Sequence, residues 1–213
     1  MKAAYHHGNL TAELLRAVEA LVNEGGIDAV TMRAVTKAIG VSHTAPQHHY
    51  GDKTGLLTAF AAEGYRRLDA TFTAASTSAP NVPPAERLLA IGTAYLHFAA
   101  DQPAFFDVMF QPHLVDTSDA DYAEASTAAY QHLHNTVLDL HRANHPRAAD
   151  PDAFTTLAWA AVHGLAVLWR QGALARAAPF ANPGDVADRV LPLLLDHPAT
   201  RPSSRGARSS ACP

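Results

Sequence analysis

Apolar side chains recur three and four residues apart along almost the whole chain, and no stretch alternates every second residue as a half-buried strand would. The first stripe is Leu10, Leu14, Leu15, Val18, Leu21 and Val22, opened by Asn9 as a helix cap and stopped by Gly25-Gly26. Thr31 caps a second, short helix with Met32, Val35 and Ile39 on its apolar face, and Gly40 ends it. Ser42, with Val41 just outside it, caps a third helix running from His43 to His49. Pro46 falls near its start, where a missing N–H costs little. Asp52 then caps a long helix that carries Leu56, Leu57, Phe60, Tyr65, Leu68 and Phe72 to about Thr77. A short polar helix held across a glycine turn behind a short apolar one is a helix-turn-helix, whose second helix enters the major groove of DNA.

Residues 76–84, with Ser, Thr, Asn and three Pro, mark the clearest break. Further helices are predicted over 85–100, from Pro103 through Phe105, Phe106, Met109 and Phe110, and over 121–143, closed by Asn144-His145-Pro146. Two more cover 151–177 and 184–197. The reading is therefore all-α. It has a helix-turn-helix domain over 5–55, a connecting helix over 52–77, a larger helical domain over 78–197, and a disordered tail over 198–213.

Composition narrows the function. The 213 residues are 48% hydrophobic, enough for a sizeable core, and carry a net charge of −4. Averaged charge thus gives no nucleic-acid footprint, but Arg33, Lys37 and Lys53 outnumber Asp52 within 31–53, and His43, His48 and His49 add to them near phosphate. Cys212 stands alone, which fits a reducing cytoplasm, and no apolar leader precedes the first helix. The longest uncharged run, 153–169, is too short for a bilayer span of ~20 residues and reads as a buried core helix. His134, His141 and His145 share a helical face, but no Cys or acidic partner sits at ligand spacing, so no metal is expected. Nor is any cofactor or enzyme expected. The chain has no Glu-x-x-His pair, no Gly-x-Ser-x-Gly elbow and no phosphate-binding Gly-Lys loop.

The Gly40-Val41-Ser42 turn, the His49-Tyr50 pair and the Asp52-Lys53 step before Leu56-Leu57 make residues 5–70 resemble the TetR family of bacterial repressors. The C-terminal part resembles that family's Trp-His-Gly subgroup, through Trp159, His163 and Gly164, the stretch 103–110 and the leading Tyr5-His6-His7-Gly8. The resemblance implies a homodimer that reads a palindromic operator in double-stranded DNA and is released by a small, apolar or aromatic effector, with no membrane role. The chain departs from the family at Gln47, where an aromatic is usual, and at Thr44, where Gly is common. Gln47 still reaches a phosphate or an adenine edge, but the family's base preference does not carry over.

The candidate DNA-contacting residues are Thr31, Arg33, Ser42, His43, Thr44, Gln47, His48, Tyr50 and Lys53. Tyr50 divides between packing its ring in the small domain and offering its hydroxyl to a phosphate. Lys53, at a helix start where the dipole gives a cation nothing, is explained by a phosphate partner. Tyr95, Phe98, Phe106, Tyr130, Trp159 and His163 are candidates for the effector pocket, each with core packing as its competing role. Leu165, Leu168, Val186, Val190, Leu193 and Leu194 are candidates for dimerisation, again against a place in the core. The competing function is an all-helical ligand-binding protein or enzyme that does not bind DNA.

Overall fold

The computed structural model describes residues 3–42, 45–77, 82–177 and 180–196, with backbone alone for 3–9, 45, 46, 48, 77 and 177. Every regular element among them is helical. His43, Thr44, the His48 side chain and the predicted tail therefore lie outside the described residues.

Helix α1 (Ala3–Gly25) buries Leu14, Ala17, Val18 and Val22. It begins before Asn9, which is thus an interior residue and not the predicted cap. Ala3 and Ala4, with the best helix propensity, carry the helix past it. Gly26, at φ 73°, ends it, and a 3-10 turn (Ile27–Ala29) leads to α2 (Met32–Ile39). Here the local reading holds. Thr31 Oγ1 accepts the Ala34 N–H at 3.0 Å, and Gly40 sits in the left-handed region at φ 69° while the Gly40 and Val41 amides close on the Thr36 carbonyl. Helix α3 is described over Ala45–Tyr50.

Helix α4 (Lys53–Thr77) is capped by Asp52, whose Oδ1 accepts the Gly55 N–H at 2.9 Å. It is the spine of the molecule: α3 packs on its start and α5 (Pro84–Asp101), α6 (Pro103–Met109) and α7 (Ala120–Arg142) along its length. Helix α8 (Pro151–Arg170) lies on α5 and α7, and α10 (Pro183–Val190) lies on α5. One continuous core runs from Val18 and Val35 through Phe60 and Phe105 to Ala166 and Val186. A smaller cluster of Leu88, Val137, Leu140, Ala148 and Phe154 closes the far end.

Three predicted helices differ. The one over 151–177 breaks at Gly172, whose φ of 67° is left-handed, and α9 (Ala173–Ala177) follows. The one over 184–197 leaves α geometry after Val190 for a 3-10 turn (Leu191–Leu194), because Pro192 lacks the N–H that would continue the ladder. The helix over 153–169 is not buried all round. Phe154, Ala158, Val162 and Ala166 face the core, while Leu157, Trp159 and Leu168 are 49%, 42% and 42% exposed. No described helix is long and apolar enough to cross a membrane.

Candidate DNA-contacting face and internal cavity

Helices α2 and α3 turn a polar face outward. Thr31, Arg33, Lys37, Ser42, Gln47 and His49 are all exposed. The angle of α3 is set from below by a close approach: a Cβ on Gly55 would overlap the carbonyl oxygen of Tyr50. The Gly51 amide closes α3 on the Gln47 carbonyl at 3.0 Å, and the Asp52 amide meets the Tyr50 carbonyl at 2.8 Å. Gly55 carries a signal in the sequence itself. A glycine in the first turn of a helix costs up to about 1 kcal/mol against Ala and usually marks such an approach.

Two of the candidate contacts have partners inside the chain. The Tyr50 ring packs on the core of the small bundle, and its hydroxyl is shut off from solvent against Thr11 of α1, with burial raising its pKa. The expectation of a hydroxyl open to a phosphate is therefore corrected: the side chain braces α3 against α1. Lys53 is half-buried, and its Nζ donates to the Ile27 carbonyl at 3.4 Å, pinning the start of α4 to the turn after α1. A phosphate is thus not needed to explain a cation at this helix start.

A cavity of about 300 Å³ opens between α4, α5, α7, α8 and the final 3-10 turn. Tyr95, Tyr130 and Trp159, three of the six pocket candidates, line it. The other three do not touch it. Phe98 is buried in the protomer core, and Phe106 and His163 stand behind the wall, their rings stacked 5.5 Å apart. Tyr65, Leu68, Phe72 and Phe110 also line it and are not among the sequence candidates. Three of them sit at i, i+3 and i+7 on α4, a spacing that marks one face without saying what covers it. Leu194, assigned to dimerisation, also lines the cavity.

No charged residue lines the wall, and its buried Tyr95 and Tyr65 hydroxyls have partners within the protein. Tyr95 Oη and His163 Nδ1 lie 2.7 Å apart, and the Trp159 indole bonds the same hydroxyl. Burial raises the Tyr95 pKa and lowers that of His163, so both are neutral in ordinary conditions. The Tyr65 hydroxyl donates to the Met109 carbonyl at 3.1 Å.

Helix α6 joins the two regions. Phe105 stacks on Phe60 of α4 with centroids 4.1 Å apart, and the Arg67 guanidinium lies 4.1 Å from the same ring. Phe106 meets Tyr95 edge-on at 5.9 Å, beside the cavity. Asp107 receives Arg170 of α8 in a two-pronged ion pair at 2.6 and 2.9 Å, and α6 also packs on α1. Among the dimerisation candidates, Val186 is 1% exposed and so is a core residue with nothing left for a partner to cover. Leu165 and Val190 are half-buried on their own core, whereas Leu168 and Leu193 are 42% and 60% exposed.

Comparison with known proteins agrees with this layout. The family model for bacterial regulatory proteins of the tetR family matches residues 14–60, and that for the tetracyclin repressor-like C-terminal domain matches residues 88–194. A protein of unknown function from Rhodococcus sp. RHA1 is similar at 27% identity and a TM-score of 0.76, over 91% of this chain and 97% of that one. A regulatory protein of the tetR family, also from Rhodococcus RHA1, is 24% identical at a TM-score of 0.63, over 87% and 94%. The regulator PfmR of Thermus thermophilus shares the fold at 19% identity and a TM-score of 0.67, over 85% and 96%. No curated protein matches the chain. With both halves matched in order and the helix-turn-helix in place, this chain belongs to the TetR family of DNA-binding transcriptional regulators.

Proposed function

We propose that the protein is a homodimeric repressor that holds a palindromic operator and leaves it when a small apolar molecule fills the cavity. The observation that carries this reading is α6. One short helix touches α1 of the DNA-binding end, the spine and the aromatic wall of the cavity. A ligand that favours one placement of α6 changes the spacing of the two recognition helices, which an operator needs about one turn of DNA (~34–36 Å) apart.

Selection from random duplex DNA at two salt concentrations tests it. An enriched palindrome with salt-sensitive affinity is the expected result, and a folded dimer that enriches nothing rejects it. Gln47→Ala should weaken operator binding by roughly 1–3 kcal/mol and relax base preference, since Gln47 is exposed on α3. Arg33→Ala should weaken binding to all sequences alike and flatten the salt dependence, since Arg33 is exposed on α2. Unchanged binding by both variants takes these two residues out of the interface.

The dimer forms through the exposed apolar positions of α8 and the last turn, Leu168 and Leu193. Replacing both with Glu puts charges where a partner should exclude water, so sedimentation should show a monomer that keeps its helical content. A dimer that survives the double change places the interface elsewhere.

A further inference from the structure

Away from its rim, the cavity is lined by hydroxyls that already have partners in the protein. A tyrosine hydroxyl has one proton and two lone pairs. Tyr95, 4% exposed, needs an acceptor for its proton, and the acceptor it meets is His163 Nδ1 at 2.7 Å. Burial keeps His163 neutral, and in the tautomer that carries its proton on Nε2 this ring nitrogen accepts from Tyr95. The Trp159 indole N–H, which only donates, takes one lone pair of the same oxygen. One lone pair is left. Elsewhere on the wall the Tyr65 proton goes to the Met109 carbonyl and the Ser126 proton to the Ala123 carbonyl, at 3.1 Å each. Tyr130 and Thr127 are exposed at the rim, where water satisfies them.

We infer that this wall selects an uncharged, largely apolar molecule carrying one hydroxyl or N–H, which donates to the remaining lone pair of Tyr95 Oη. Away from the rim, where Tyr130 and Thr127 stand in water, a carboxylate or a ketone finds no proton to accept, and no carboxylate lines the cavity to neutralise an ammonium group. Phe72, Phe110 and Trp159 supply flat faces for the apolar body, and a volume of about 300 Å³ is at the small end for a ligand site. Tyr95 is the specificity-determining residue, and His163, which does not touch the cavity, positions its proton. The inference rests on the cavity being the effector site.

The test titrates the full-length protein, by quenching of its tryptophan fluorescence, with biphenyl, biphenyl-4-ol, 4-methoxybiphenyl and biphenyl-4-carboxylate. Biphenyl-4-ol should bind roughly tenfold tighter than the methoxy compound and tighter still than the carboxylate. Tyr95→Phe should erase the advantage of the phenol over its methyl ether. His163→Leu frees the Tyr95 proton to point into the cavity, so 4-methoxybiphenyl should gain on the phenol. This second variant reads the same contact should Tyr95→Phe fail to fold. Equal binding of phenol and ether by the parent protein, or an intact preference in both variants, overturns the donor rule while leaving the cavity as a ligand site. Failure of all four probes to bind, biphenyl included, overturns both.

Discussion

Phe105→Ala should cost the protein about 3–5 kcal/mol and lower its melting midpoint by roughly 10 °C. The ring is fully buried, stacked on Phe60 and covered by the Arg67 guanidinium, so truncation removes three kinds of contact together: apolar burial, ring stacking and cation–π attraction. The void it leaves lies between α4 and α6, and the backbone around it is held by Tyr65 and Tyr122, which both donate to the Met109 carbonyl. Such a site collapses poorly, which puts the loss toward the upper part of the range. Arg67 adds to it, because its bonds to Glu63 and Gln102 place a charge over a ring that would no longer be there. Chemical denaturation of the purified variant measures the loss. A cost under about 1 kcal/mol would mean that α6 is not anchored through this ring.

For Gly55→Ala the informative quantity is the sign. In an ordinary helix the change stabilises, by up to about 1 kcal/mol, because alanine loses less backbone freedom on folding. Here the added methyl runs into the Tyr50 carbonyl oxygen, a backbone atom that moves only if the end of α3 moves with it. The expected result is destabilisation by about 1–3 kcal/mol, the usual cost of overpacking, with operator affinity reduced at least tenfold as α3 is pushed off its angle. Probe binding in the cavity should survive, since Gly55 is not part of its wall. A variant more stable than its parent, with operator affinity intact, would show that the turn between α3 and α4 yields freely.

What could be read from the sequence divides by range. The Thr31 and Asp52 caps and the Gly40 stop depend on atoms within four residues, and they stand where the sequence places them. The Asn9 cap failed because a good cap residue does not oblige a helix to start there when alanines precede it. Pro192 and Gly172 were visible as residues, but helical period had more weight than either breaker. The cavity was least legible. Tyr95 and His163 lie far apart in the chain, and spacing cannot tell a ring on the wall from the ring supporting it. Leu194 and Val186 show the same ambiguity. A helical period says that a face is covered and is silent about whether core, ligand or partner covers it.

The single core reaching from Val18 to Val186 bears on how such a protein changes over evolution. Were the two ends separate bodies on a tether, a new operator specificity could arrive by exchanging the first fifty or so residues wholesale. Here α1 packs against α6 and Phe60 shares its ring stack with Phe105, so a transplanted reading head brings a mismatched seam with it. Exposed positions such as Arg33 and Gln47 carry no such cost, because no neighbour's shape depends on them. Divergence of the DNA sequence recognised should therefore proceed by single changes on the outer face of α2 and α3, while the seam drifts slowly and in matched pairs.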